Sequence, residues 1–385
     1  MVHHLPYIGG ATKSLLNLSK KLDSNGYEVS VLFFLKKGNA YKLFEENNIK
    51  CIYFDKGRVF QHAYGAYIPL INLKFYRPII AFLRALYSIY PSYKLLKKIN
   101  PDILYLNTSL LFPFAIASKF LAIKNIWHIR EQIHSGIFGI RKRFLVSVIK
   151  YFSDKIIIIS KTNKIALGLK NAKLIYNSTS KKNIIPENEI INFKNKYNIR
   201  SKKIITFLGG NVRSKGGDIM VSSFSELIDE FDDIILVYAG KFLMNNNENL
   251  NVIEKNVREI ISKNKKLSEK IIFTGALSDV RPLLKITNIL VWPATTPHFS
   301  RPLMEGMMMG KIVVGSDFSS TREIIKDNIT GFLIKPNSES ISNKLRCIIG
   351  NFDDFKNIGL NARNKAVKLF DESINIEENI KYIEL

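Results

Sequence analysis

The chain has 385 residues, 46% hydrophobic and 23% charged, ordinary proportions that exclude a disordered chain, a collagen-like fibre and a coiled coil. Its 57 Lys and Arg against 33 Asp and Glu give a net charge of +24, which concerns partners and solubility rather than fold. Two cysteines, Cys51 and Cys347, make no disulfide framework and fit no metal knuckle, so a reducing compartment is the simpler expectation.

In chain order, Met1-Val2-His3-His4-Leu5-Pro6 lacks the basic and apolar regions of a signal peptide. Residues 1–5 form a first strand that is unusually short unless the natural start lies upstream, and Gly9-Gly10 precede a helix over 11–25. Strands follow at 29–34, 103–106, 124–127 and 155–159, with a helix over 110–122. After a polar stretch over 177–203 that contains Pro186, a second series brings strands at 204–208, 234–238, 271–273, 289–292 and 311–314 and helices over 215–231 and 251–263. The strand runs are short, rich in Ile and Val and free of polar alternation, as in parallel sheets buried on both faces. Their alternation with helices predicts an α/β chain of two doubly wound, Rossmann-like domains. The expected division is a domain over 1–180, a linker over 181–202, a second domain over 203–370 and a terminal helix over 371–385. No transmembrane helix is expected, because the nearest apolar candidate, 59–93, is interrupted by Lys74, Arg77 and Arg84.

Ligands of open α/β sheets bind beyond the carboxyl ends of the strands, so the strand-to-helix turns hold the candidates. Gly9 and Gly10 let a ligand approach a helix start that favours anions, although an ordinary tight turn has the same look. A stronger turn is Gly209-Gly210-Asn211-Val212-Arg213-Ser214-Lys215-Gly216-Gly217. Arg213 can grip phosphate oxygens two at a time and Lys215 supplies a point charge. The turn is neither a Walker loop nor a GxGxxG fingerprint. After the strand at 289–292, Glu305 is placed to accept from sugar hydroxyls or to complement a helix start. The Met304–Met309 run suits core packing. His128, Arg130 and Glu131 close the strand at 124–127 and are candidate site residues, though a lone histidine is more often structural. Asp-x-Asp, HExxH, CxxC and GxSxG are all absent, which weakens metal-cradle, metalloprotease, zinc-site and hydrolase readings.

Residues 298–336, HFSRPLMEGMMMGKIVVGSDFSSTREIIKDNITGFLIKP, together with GGNVRSKGGDIM and GALSDVRPLLKITNILVWPA, resemble the retaining GT-B glycosyltransferases of the "glycosyl transferases group 1" family. Against the family pattern E-x-F-G-R-P-x-x-E-A, G-x-P-V-V and E-I-(V/I)-x-D-x-x-x-G-x-L, the matches are Phe299, Arg301, Pro302, Glu305, Gly310, Val313, Val314, Glu323, Ile324, Asp327 and Gly331. The pattern's first glutamate, associated with the donor sugar, falls on Pro297; Ser300 and Gly306 stand at its glycine and alanine. The resemblance implies two Rossmann-like domains facing each other across a cleft. It implies transfer of a sugar, with retention and without a metal or other cofactor, from a nucleotide-sugar donor to a lipid-linked or saccharide acceptor. Its donor-binding set is Gly9, Gly10, Gly210, Arg213, Lys215, Phe299, Ser300, Arg301, Glu305 and Glu323, its catalytic set is His128, Arg213 and Lys215, and His128, Arg130 and Glu131 are its acceptor-side candidates. A non-catalytic or weakly active scaffold, or a nucleotide-sugar epimerase of the same fold, is the alternative.

Charge supplies a further expectation. Residues 1–180 hold 27 of the basic side chains but 8 of the acidic ones, a net of +19. Residues 56–101 contain no Asp or Glu, and Phe60, Tyr64, Tyr67, Phe75, Tyr76, Phe82, Tyr87, Tyr90 and Tyr93 are interleaved with basic residues. Such a face suits an anionic bilayer. The expected protein is cytoplasmic and peripheral on the inner face of the plasma membrane, acting on a polyprenyl diphosphate-linked acceptor in bacterial surface polysaccharide (capsule or O-antigen) synthesis. Nucleic acid is not an expected partner, since no binding motif for it appears.

Overall fold

The computed structural model describes residues 1–34, 38–57, 76–133, 135–180, 185–201, 203–241 and 252–385. The chain divides into two units, Met1–Asn177 with Ser373–Leu385, and Ser178–Glu372. Each is a parallel α/β sheet covered by helices, the Rossmann-like pair expected from the alternating runs.

The first sheet comprises β1 (Val2–His3), β2 (Ser30–Phe33), β3 (Lys50–Tyr53), β4 (Ile103–Leu106), β5 (Lys124–Ile129), β6 (Lys155–Ile158) and β7 (Lys173–Leu174), in the order β3-β2-β1-β4-β5-β6-β7. Period-2 alternation sorts its side chains into two cores. Trp127 and Ile129 pack with Phe112, Phe114, Leu145 and Ile149 on one face. Ile126 packs on the other face with Leu15, Phe33 and Ile157, under Ile380 and Ile383 of the terminal helix Glu372–Glu384. That helix therefore covers the sheet formed by the opening half of the chain. Asn375 Nδ2 donates to the Tyr176 carbonyl at 3.1 Å and Lys155 Nζ to that of Tyr382 at 2.9 Å.

The second sheet comprises β8 (Lys203–Leu208), β9 (Ile234–Ala239), β10 (Ile271–Gly275), β11 (Ile289–Trp292), β12 (Ile312–Ser316) and β13 (Phe332–Ile334), in the order β10-β9-β8-β11-β12-β13. All four residues of β11 are buried, as a central parallel strand requires. Each apolar side chain enclosed here contributes roughly 1.5–3 kcal/mol relative to exposure. Within the stretch expected as a linker, Glu187–Lys196 is a helix of the second unit, with Ile190 turned inward. The polar composition read there as a connection belongs to the solvated side of that helix.

In both sheets the strand order reverses beside the first strand, between β1 and β4 and between β8 and β11. Ligands of such sheets bind outside the carboxyl ends at this reversal. Among the described residues no helix is long and apolar enough to cross a membrane. Residues 58–75 of the expected membrane face, including Phe60, Tyr64, Tyr67 and Phe75, lie outside the described residues.

Candidate functional site

In the second unit, the chain leaves β8 through Gly209 and Gly210 and makes one 3-10 turn, Arg213–Lys215, before the helix Gly217–Ser225. Gly216 has φ +70°, and a Cβ there would run into the Pro293 carbonyl. A Cβ on Gly217 would meet the Tyr238 hydroxyl, which donates to the Gly210 carbonyl at 3.0 Å. This glycine pair lets backbone and side chain close tightly around the turn. Thr295 fastens the turn to the loop after β11: its N–H donates to Ser214 O and its hydroxyl to Arg213 O, both at 3.1 Å. Asn211 Nδ2 donates to the buried Glu254 carboxylate.

Arg213 is exposed, whereas Lys215 is half-buried. Lys215 Nζ lies 3.0 Å from His298 Nε2 and 4.7 Å from the centroid of the Trp292 ring. His298 Nδ1 is 3.0 Å from the Thr296 carbonyl oxygen. A carbonyl only accepts, so Nδ1 carries the proton and Nε2 accepts from the ammonium. Burial pulls Lys215 down to about 8. Burial, aided by the Lys215 charge, pulls His298 down to about 4 and keeps its ring neutral at pH 7.

After the same loop, the Ser300 hydroxyl caps the helix Arg301–Met308 by accepting from Leu303 N at 3.4 Å. Arg301 Nε donates to Glu305 Oε1 at 2.9 Å, one turn apart on the helix. Glu305 is thus partly engaged, with 19% of its side chain exposed. Phe299 packs edge-on against Phe370 at 6.1 Å. Glu323 is half-buried at the end of the helix Ser319–Ile324, and its carbonyl accepts from Lys365. Met304, Met307 and Met308 are buried core residues.

In the first unit, Gly9 and Gly10 begin the helix Gly10–Ser24. The Thr12 hydroxyl accepts from Gly9 N at 3.2 Å and donates to Tyr7 O at 3.0 Å. Since that hydroxyl proton is used, His3 Nε2, 3.1 Å away, is the donor of its pair with Thr12. His3 Nδ1 then accepts from Asn107 Nδ2 at 3.1 Å. Asn107 Oδ1 accepts from Arg130 Nε, and Arg130 Nη1 donates to Asn177 Oδ1 at 2.9 Å. Burial, reinforced by His4 and Arg130, lowers His3 to about 3, so it is a neutral link. The Glu131 carboxylate accepts from Ser109 N and Thr108 Oγ1, each at 2.6 Å, and from Ser109 Oγ. Asn163 Nδ2 donates to the Glu131 carbonyl at 3.2 Å. Glu131 thereby joins the carboxyl ends of β4, β5 and β6.

His128 is only 2% exposed. Its Nδ1 bonds to the Tyr105 hydroxyl, which donates to Asn379 Oδ1 of the terminal helix at 3.3 Å. Burial, then the Arg130 charge, holds its pKa well below the usual imidazole value. Of the β5 candidates, Arg130 and Glu131 are only partly buried, and His128 is enclosed behind them. The structure adds His3, Thr12, Asn107, Asn177 and His298 to the residues found by sequence. Asn107 immediately follows the strand at 103–106, a place that marks it; Asn177 carries no such signal. Among the described residues no cluster of three or more His, Cys, Asp or Glu could hold a metal ion.

Residues 189–365 match the family described as Glycosyl transferases group 1. An uncharacterised glycosyltransferase of Methanocaldococcus jannaschii is 25% identical over 95% of this chain and 92% of its own length. The alpha-1,3/1,6-mannosyltransferase of Dictyostelium discoideum is 22% identical over 96% of this chain and 94% of its own. Among solved structures, HepE of Anabaena, crystallised with UDP, superposes with a TM-score of 0.80 at 18% identity, covering 100% of this chain and 98% of HepE. Other crystals of HepE hold UDP with glucose, or UDP-glucose. The likeness to HepE is one of fold.

Proposed function

We propose that the chain is a GT-B glycosyltransferase of the group 1 family and that Arg213 and Lys215 bind the diphosphate of its nucleotide-sugar donor. One observation carries this reading: the turn at the carboxyl end of β8 presents two cations, and among the described residues no carboxylate pairs with Lys215. Transfer breaks the bond between the sugar's anomeric carbon and the diphosphate oxygen, and negative charge collects on that oxygen. A preorganised guanidinium and ammonium stabilise the charge where it develops, so the same residues need no metal for this step. Glu305 is proposed to take the nucleotide's ribose hydroxyls, exchanging part of its Arg301 bond for them. Phe299, Ser300, Arg301, Glu323 and Gly210 complete the second unit's donor side by resemblance.

Retention is part of the proposal. Glu254 holds Asn211 and Glu305 faces Arg301, so neither is placed as a free nucleophile. The acceptor hydroxyl then attacks from the face the diphosphate is leaving, and its proton passes to a departing phosphate oxygen. Arg130 and Glu131 are proposed on the acceptor side, with His128 as the neutral ring behind them.

The acceptor is proposed to be lipid-linked, met on the inner face of a bacterial plasma membrane during surface polysaccharide synthesis. The helix Tyr76–Tyr87 supports this: Ile79, Ile80, Leu83 and Tyr87 are exposed, as is Tyr90 just beyond it. Arg84, Lys94, Lys97 and Lys98 are exposed in the same segment. Apolar and aromatic side chains framed by cations suit an anionic lipid surface. The test is transfer of radiolabelled sugar from UDP-, GDP- and ADP-sugars to polyprenyl diphosphate-linked saccharides, with and without EDTA. Turnover that survives EDTA and forms an α-linkage from an α-donor is expected. Loss with EDTA that magnesium restores would overturn the metal-free step, and an inverted product would overturn retention.

A further inference from the structure

We propose that His298 is a positioning residue for Lys215: its imidazole holds the ammonium over the Trp292 ring that ends β11 and yields it to a diphosphate oxygen when the donor enters. This rests on the donor role proposed for Lys215 and extends it to a side chain that the family pattern does not assign.

The argument begins with the conformational freedom of lysine. Its four-carbon stem rotates freely, and a bare ammonium on a surface turn extends into water. Here the ammonium is docked, 3.0 Å from His298 Nε2 and 4.7 Å from the Trp292 centroid. A carboxylate in place of His298 would dock it as well, but would cancel its charge and compete with phosphate. A neutral imidazole accepts the hydrogen bond and leaves the charge for the ligand. The imidazole is itself built in. Thr296 O fixes its tautomer from the Nδ1 side at 3.0 Å, and its ring meets Trp292 edge to face at 5.4 Å. Pro297 biases Thr296, the residue before it, towards an extended backbone, which keeps that carbonyl available. Thr295 bonds to Ser214 O and Arg213 O, so the loop carrying His298 is pinned to the turn carrying Lys215. Position 297, where the pattern has a glutamate, is an exposed proline, and the neighbouring His298 is the titratable side chain this loop sends to Lys215.

The experiment measures binding of UDP, GDP and ADP to the full chain at pH 7 by calorimetry, using the tightest of the three for the variants. Lys215→Met is expected to weaken that nucleotide at least tenfold, the scale of a charge-assisted hydrogen bond. His298→Phe keeps a ring against Trp292 but removes the acceptor, and a loss of roughly fivefold to tenfold is expected. His298→Gln restores an acceptor and should return affinity to within about threefold of the parent. In the Lys215→Met background, His298→Phe should cost nothing more, because both act through one contact. A purely structural role would give losses that add. If His298→Phe fails to melt cooperatively, His298→Ala takes its place in the cycle. Absence of binding by all three nucleotides, or a Lys215→Met variant that binds as the parent does, overturns the donor reading and the His298 role with it. A weakened Lys215→Met beside an unimpaired His298→Phe, or additive losses in the cycle, overturns the His298 role alone.

Discussion

At Lys215, burial lowers the ammonium from 10.5 to about 8, and the two consequences of that shift run in opposite directions with pH. Between about pH 8 and 10.5 the folded chain has released a proton that the unfolded chain still holds, so this residue's contribution to stability rises with pH across that window. Below pH 8 both states are protonated, and the cost of burying the charge is present in full. On the donor role proposed for Lys215, binding needs the charged form and should weaken as pH climbs above about 8. Urea midpoints and nucleotide affinities at pH 7, 8, 9 and 10, compared with Lys215→Met, check both trends. The expected difference is a steeper slope in the parent than in the variant, where Lys311, also lowered to about 8 by burial, still contributes; equal slopes would remove Lys215 as a source. His298, the partner that makes this environment, was not legible in the sequence. It lies six residues past β11 in a Pro- and Thr-rich loop, where no periodicity says which side chains turn inward.

The two glycines that follow the Arg213–Lys215 turn belong to the element scale, because they decide how closely turn and helix can meet. Gly216 and Gly275 share φ +70°, but Gly275 has open space where Gly216 faces the Pro293 carbonyl. Gly275→Ala should therefore cost the left-handed strain alone, about 1 kcal/mol, and Gly216→Ala about 1–3 kcal/mol more through the collision. Gly216→Ala should also weaken nucleotide binding by displacing Lys215. Chemical unfolding of the two variants side by side is the check, and equal losses would show that Pro293 yields freely. Legibility at this scale follows burial. The central strands β4, β8, β9 and β11 read directly from their Ile- and Val-rich runs. The strands that escaped, β3, β7 and β13, all lie at sheet edges and have two to four residues. At an edge, half the pattern faces solvent: Lys50 and Tyr53 of β3 are exposed, which erases the continuous apolar run. The helix Glu187–Lys196 escaped for a related reason, since it buries a single residue, Ile190.

Over the whole molecule, the net +19 of residues 1–180 and the exposed apolar residues of the Tyr76–Tyr87 helix should act together on a lipid surface. Co-sedimentation with anionic vesicles should fall steeply as salt rises past about 0.15 M, where the screening length is roughly 8 Å. Leu83 is 57% exposed, so Leu83→Glu should leave the melting temperature within about 1 °C while weakening vesicle binding severalfold. Binding that ignores both salt and Leu83→Glu would return the lead to a soluble acceptor. The placement of the Glu372–Glu384 helix bears on how the chain is made. Residues 1–177 leave the ribosome before the second unit, but the helix covering their Leu15, Ile126 and Ile157 core is translated after it. At roughly 5–20 residues per second, the intervening stretch takes about 10–40 s to synthesise. For that interval an apolar sheet face waits without its cover while the contiguous second unit, Ser178–Glu372, can finish folding, so the first unit is begun before the second and completed after it.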